Sequence, residues 1–319
     1  MATAALVIGV IGLGACAFCA ADDSGYARDV AFPAPGHVVV AKWDGGVAVS
    51  RDGGTTWSDS DTVPIRQLTI DSGGRLWGLS SWHGIHEPSR AELTCSDDGG
   101  NSWTSVRLDP EEAMPEAFVS SARQVPILVA SDGQLWIRDH PSRQGFQAWS
   151  RLGKPIPAAT PATRDCAARV GMKVGKVIYV ASSQHVWMSK DVGVAWESFA
   201  LDDIRAFAGD AGALWAVSGT GKVHSASVGV NRWELMAEIP EVTRVFGAAA
   251  KDGRVYVAAE GKGWRALGAF VEKDGSVTVL PGLRGKQGYA ARIDPSGRAW
   301  FVAQGVFMEG RGKWEQVWP

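Results

Sequence analysis

Three segments of the 319-residue chain gather side chains able to do chemistry. Residues 81–90 (SWHGIHEPSR) hold Trp82, His83, His86, Glu87 and Arg90. Imidazole and carboxylate this close together can hold a metal ion or exchange a proton with a substrate. Gly84 and Pro88 break the helix that would line up His83 and His86 as a metal-binding pair. The segment therefore reads first as a solvated loop with aromatic packing and second as a ligand contact. Residues 107–116 (RLDPEEAMPE) are acidic through Asp109, Glu111, Glu112 and Glu116. A glycosidase needs two carboxyl groups facing each other across a substrate at a set separation. Consecutive Glu111 and Glu112 in a proline-flanked loop read as solvated charge instead. Lys262, Trp264 and Arg265 form the third group, with Arg284 and Lys286 of residues 281–287 (PGLRGKQ). Cations beside aromatic surface suit an anionic or sugar ligand. Trp43, Trp82 and Trp264 would serve a sugar as stacking platforms.

No residue takes a catalytic role on motif grounds. The chain has no GxxxxGK[ST] to cradle a phosphate and no G-x-S-x-G elbow, and spacing ties no Ser, His and Asp together. No cofactor and no metal site are expected. Lys and Arg total 32 against 34 Asp and Glu, a balance that argues against a generally basic nucleic-acid-binding surface.

Residues 4–20 are almost wholly apolar and end at Asp22-Asp23-Ser24-Gly25, the pattern of an export signal. Leu13-Gly14-Ala15-Cys16 resembles a bacterial lipobox, and lipidation of Cys16 would attach the chain to a membrane. Residues 1–21 are thus expected to be a leader and 22–319 the folded domain. Cys95 and Cys166 fall on separate units of the repeat described next, too far apart to bridge, and are expected to be free thiols.

The elements that must position these groups come from an internal repeat. Residues 50–57 (SRDGGTTW), 96–103 (SDDGGNSW) and 189–196 (SKDVGVAW) share S-x-D-x-G-x-x-W. Each part has a task in a β-hairpin. The Asp accepts bonds from turn N–H groups, the Gly supplies positive φ, and the Trp covers an apolar face that one small sheet cannot bury alone. Weaker copies at residues 146–152, 231–236 and 312–317 keep the strand that carries the Trp and lose the Asp, and residues 276–280 lose the Trp too. With Trp57, Trp103, Trp149, Trp196, Trp233, Thr278 and Trp314 as markers, the spacings are 46, 46, 47, 37, 45 and 36 residues. Units of about 43 residues match four-stranded propeller blades. Short apolar runs such as 38–41, 76–79, 177–180 and 299–302 recur once per unit and read as buried second strands. The expected fold is all-β, a seven-bladed β-propeller of four-stranded antiparallel blades.

The octapeptides resemble the Asp-box, or bacterial neuraminidase repeat, of sialidases, sortilin-like receptors and photosystem II assembly-factor-like propellers. The resemblance implies that Asp52, Trp57, Asp98, Trp103, Asp191 and Trp196 are structural residues of blade hairpins, away from the ligand face. Sialidases carry an Arg-Ile-Pro motif, whereas here Val63-Pro64-Ile65-Arg66 has those residues in another order. In size, blade number and exported N-terminus the chain is more similar to the assembly-factor-like group, whose members act as binding platforms. The expectation is a non-catalytic exported platform for a protein or glycan, located in the periplasm, on the outer membrane as a lipoprotein, or outside the cell. The alternative is a sialidase-like glycoside hydrolase using the loop carboxylates.

Overall fold

The second-strand runs show how this chain builds its interior. Side chains alternate between the two faces of a strand, so a run with no polar member must be buried on both faces. His37–Lys42 does this: Val38 and Val40 join one apolar cluster with Trp300 and Val302, whereas Val39 and Ala41 join another with Ile65, Leu68 and Leu76. A sheet buried on both faces needs a neighbour on each side, and this condition repeats along the chain.

The computed structural model describes residues 26–43, 45–61, 64–71, 73–82, 90–106, 115–120, 126–130, 133–138, 149–157, 170–181, 185–201, 203–210, 212–280, 283, 289–310 and 314–318. Every regular element among them is a β-strand, and no helix there is long and apolar enough to cross a membrane. The first sheet contains β1 (Ala27–Ala34), β2 (His37–Lys42), β3 (Val47–Ser50) and β4 (Ser58–Ser60). The second contains β5 (Gln67–Ile70), β6 (Leu76–Trp82), β7 (Arg90–Ser96) and β8 (Thr104–Val106). Next come β9 (Pro115–Ser120), β10 (Ile127–Ala130), β11 (Leu135–Arg138) and β12 (Trp149–Leu152). These are followed by β13 (Val170–Val174), β14 (Val177–Ala181), β15 (His185–Ser189) and β16 (Glu197–Ala200). These two runs of four join into one eight-stranded sheet, because β9 and β13 pair in parallel through Val119–Gly171 and Ser120–Met172. The next sheet is β17 (Ile204–Asp210), β18 (Ala213–Ser218), β19 (Lys222–Ser227) and β20 (Glu234–Glu238). Then come β21 (Val242–Lys251), β22 (Arg254–Gly261), β23 (Arg265–Val271) and β24 (Val277–Val279). The last is β25 (Ala290–Ile293), β26 (Ala299–Ala303), β27 (Gly305–Glu309) and β28 (Trp314–Trp318). Within each run of four, consecutive strands pair antiparallel.

The first strands are the inner ones. In chain order β1, β5, β9, β13, β17, β21 and β25 each lie against the next, and β25 returns to β1. The apolar clusters sit between neighbouring runs. Trp77, Leu79 and Leu93 meet Phe118, Leu128 and Trp136, and Tyr179, Val186 and Met188 meet Phe207, Leu214 and Ala216. Burying each such side chain stabilises by roughly 1.5–3 kcal/mol.

One sequence expectation needs correction. The fourth strand was expected to carry the hairpin Trp, yet it begins one residue after Trp57, Trp103, Trp196 and Trp233. In the first two hairpins the indole N–H folds back to the turn, Trp57 Nε1 to Gly54 O and Trp103 Nε1 to Gly100 O, both at 3.0 Å. Cys95 is buried, and Cys166 and residues 1–25 lie outside the described residues.

Candidate functional site

The three octapeptide hairpins share one hydrogen-bond pattern. Asp52 Oδ1 accepts from Ser50 Oγ at 2.8 Å, Thr55 N at 3.0 Å and Thr56 N at 2.9 Å, while Thr56 Oγ1 donates to Asp52 Oδ2 at 2.6 Å. Asp98 repeats this with Ser96, Asn101 and Ser102. Asp191 keeps the bonds from the Ser189 hydroxyl and the Ala195 N–H. Ala195 has no hydroxyl, so the bond that Thr56 and Ser102 give to the second oxygen has no counterpart there. Every lone pair so engaged faces the turn's own donors.

The hairpins also fasten each run to the one before it. Trp57 Nε1 donates to Val317 O at 3.0 Å, joining the first run to the last. His37 Nε2 donates to Gly99 O at 2.9 Å, and Ser60 Oγ to Asn101 O at 2.7 Å, joining the first run to the second. Trp196 Nε1 donates to Lys154 O at 3.0 Å.

Donors aimed at a carboxylate favour its ionised form. The Thr56 hydroxyl, then the Thr56 N–H, bring Asp52 down to about 2, against a slight opposing effect of burial. For Asp98 burial acts upward, but the Ser102 hydroxyl and N–H with Ser96 and Asn101 outweigh it and give about 2. A folded pKa below the unfolded value of 3.8 contributes stability that is fully present above pH 3.8 and lost as pH falls through about 2. Replacing Thr56 with Val removes the hydroxyl donor and keeps the N–H. The expected result is an Asp52 midpoint that rises while that of Asp98 stays, read by carboxyl NMR titration.

The N-terminal ends of the inner strands carry a different set of groups. The guanidinium of Arg28 lies 3.8 Å from the centroid of Trp43. Trp43 is followed by Tyr289 at 5.7 Å, Phe246 at a further 5.6 Å, and the guanidinium of Arg244 at 4.8 Å from Phe246. This ladder of two cations around three rings crosses from the first run through the last to the sixth. Cation–ring contacts of this kind are worth roughly 0.5–2 kcal/mol, more when desolvated.

Local backbone irregularity aims these side chains. The β1–β2 register skips Arg28, the β17–β18 register skips Arg205, and the β21–β22 register skips Thr243 and Phe246. A bulge leaves an extra residue outside the ladder of paired strands and turns its side chain. Among the described residues neither Arg28 nor Arg244 has a carboxylate partner, whereas Arg205 is paired with Asp203 at 2.5 Å. Arg28 Nε is buried without an acceptor. Burial pulls the Arg28 pKa down, opposed by the Tyr289 phenol, but a guanidinium remains protonated at neutral pH. Glu260 is buried at the end of β22, where Thr243 Oγ1 donates to its Oε1 at 3.2 Å and its Oε2 has no partner.

The turn between β22 and β23 adds Lys262, Trp264 and Arg265, all exposed. Trp264 is 65% exposed and has φ of +63°, a conformation that costs a bulky residue about 1–2 kcal/mol relative to glycine. An exposed indole held where glycine is cheaper has no packing role to explain it.

Of the other residues singled out in the sequence, Trp82 and Arg90 pair through their backbones where β6 meets β7. His83, His86, Glu87, Arg284, Lys286, Asp109, Glu111 and Glu112 lie outside the described residues. Among the described residues no group of three His, Cys, Asp or Glu is placed to hold a metal. Arg28, Arg244, Phe246 and Tyr289 were not singled out by the sequence reading.

No protein-family model matches the chain, and no curated protein matches it. Solved structures do. YCF48 from Cyanidioschyzon merolae aligns with a TM-score of 0.67 and 17% identity over 91% of this chain and 96% of its own. The GH74 xyloglucanase from Xanthomonas campestris aligns with a TM-score of 0.69 and 16% identity over 93% of this chain and 55% of its own. The computationally designed Ika8 protein aligns with a TM-score of 0.58 and 10% identity, over 88% and 94%. The fold is a β-propeller. At such identities the likeness is one of architecture.

Proposed function

We propose that this chain is an exported, non-catalytic, seven-bladed propeller that binds a protein partner through the N-terminal rim of its inner strands. The seven repeat markers and the closed succession of inner strands from β1 back to β1 support the blade count. The hydrogen-bond pattern common to Asp52, Asp98 and Asp191 supports reading their hairpins as Asp-boxes. The apolar run 4–20 supports export, and Cys16 is the atom source for a lipid anchor.

One observation carries the binding reading: two guanidinium groups without carboxylate partners among the described residues flank a ladder of three aromatic rings on an exposed rim. Arginine and aromatic side chains are the residue types that dominate protein-binding hot spots. Their alternation suits a partner segment that offers carboxylates at two points and an apolar side chain between them. Lys262, Trp264 and Arg265 extend the same surface on the sixth blade. The box hairpins, at the opposite ends of the blades, act as fasteners.

Charge reversal tests this reading. Wild-type chain should capture its partner from the native host's exported proteins, and the Arg28→Glu/Arg244→Glu variant, folded to the same extent, should capture at least tenfold less. Equal capture by the two would remove the rim from the account. Salt should weaken the wild-type complex. Recovery of a glycan rather than a protein, with stacking lost on Trp43→Ala or Trp264→Ala, would replace the partner class. The glycoside hydrolase alternative rests on Glu87, Asp109, Glu111 and Glu112 outside the described residues, and turnover of a sialoside or of xyloglucan would favour it.

A further inference from the structure

The inner strands enclose a second candidate site, independent of the rim. A cavity of about 560 Å³ lies along the channel, walled by Val30–Phe32, Leu68–Ile70, Phe207–Gly209, Ala248–Ala250 and residues 291–295, with Met172. These residues belong to the inner strands β1, β5, β13, β17, β21 and β25 and to the turn after β25, and none of them is a member of the ladder. The volume falls within the roughly 300–1,000 Å³ of small-molecule sites.

The wall combines two chemistries. Phe32, Ile70, Met172 and Ile293 are partly exposed there and present hydrocarbon, and the charged members are Arg292 and Asp294, whose carboxylate already accepts from Ser296, Arg298 and Trp300. Arg292 Nη1 donates to Ala291 O at 3.1 Å and Nη2 to Asp29 Oδ2 at 2.8 Å. A guanidinium has five N–H donors, so these bonds leave three for another acceptor. The side chain stays 29% exposed although the Asp29 it holds is buried. Apolar side chains beside a guanidinium with donors to spare match a molecule with an apolar body and a single anionic head.

We propose that the channel binds a small anionic amphiphile, its carboxylate on Arg292 and its hydrocarbon body against Phe32, Ile70, Met172 and Ile293. Decanoate, used well below its micellar range and followed by isothermal titration calorimetry on the full chain, is the probe. The expected result is one saturable site, at least tenfold weaker for decanol and without saturation for decyltrimethylammonium. Filling the cavity by Thr69→Phe, or separately by Ala250→Leu, should abolish decanoate binding in whichever variant keeps the wild-type circular dichroism spectrum. The Arg28→Ala/Arg244→Ala variant should bind decanoate as the wild type does, which separates this site from the rim. Absence of saturable binding, equal binding of the cationic amphiphile, retained binding in a folded cavity-filled variant, or loss in the rim variant would each overturn the assignment.

Discussion

Replacing Asp29 with Ala is expected to cost about 3–5 kcal/mol of folding stability, the usual consequence of removing one partner from a buried ion pair. Asp29 is 2% exposed on β1. Its Oδ1 accepts from Val30 N at 2.8 Å, and its Oδ2 accepts from Leu68 N and Arg292 Nη2, both at 2.8 Å. One carboxylate thus joins the first inner strand to the second and to the last, across the place where the ring closes. Burial pushes its pKa up, while Arg292 and the two N–H groups pull it back. Without the carboxylate, two backbone donors and a guanidinium lose their acceptor in a site that water reaches poorly. Asp29→Asn keeps the volume and one acceptor and should lose less. Urea unfolding monitored by tryptophan fluorescence measures both. A loss under about 1 kcal/mol for Asp29→Ala, within the range of ordinary surface changes and weak bonds, would mean that closure does not depend on this tie.

Trp300→Ala should cost about as much, 3–5 kcal/mol on the scale of large aromatic truncations. Trp300 is 1% exposed on β26 and packs with Val30, Val38, Val40, Val302 and Val306 between the last run of strands and the first. Phe32 lies 5.0 Å away, ring to ring. The indole Nε1 also donates to Asp294 Oδ2 at 3.0 Å. Trp300→Phe keeps most of the buried area and loses only that bond, so it should cost clearly less. Trp57→Ala, at a half-buried hairpin position on the same seam, should fall below Trp300→Ala. The reverse order in thermal or urea unfolding would show that the hairpins, not the inter-blade core, hold the ring.

Both residues show what the sequence made legible. The apolar run around Trp300 is local, has the period of a strand buried on both faces, and follows a Gly-containing turn, so its position could be read directly. The S-x-D-x-G-x-x-W hairpins were legible for the same reason: every donor to Asp52 lies within four residues of it. A second local signal went unused. Residues 71–77 (DSGGRLW) and 294–300 (DPSGRAW) each place an Asp in the first turn of a run, where it accepts turn N–H groups and the indole N–H of a Trp six residues on. The three-way junction at Asp29 was not legible, because its partners at positions 68 and 292 are brought to it only by ring closure.

The rim was half legible. Trp43 and the Lys262, Trp264 and Arg265 group stand out as exposed aromatic and basic residues in loops. Arg28 and Arg244 look like ordinary strand arginines until the bulges are seen to turn residues out of register at the N-terminal ends of β1 and β21. A faint signal existed: Arg28, Arg66, Arg205 and Arg244 all fall at or just before the beginning of an inner strand. Register shifts, however, leave no mark in a hydrophobic period.

The central claim is that recognition happens on the rim that bears the cation–aromatic ladder, away from the box hairpins. Hydrogen–deuterium exchange of the chain alone and in its captured complex tests this most directly. The account predicts added protection at residues 26–28, 42–46, 242–246, 261–265 and 289–290, with residues 51–57, 97–103 and 190–196 unchanged. Protection confined to those three hairpins would contradict it.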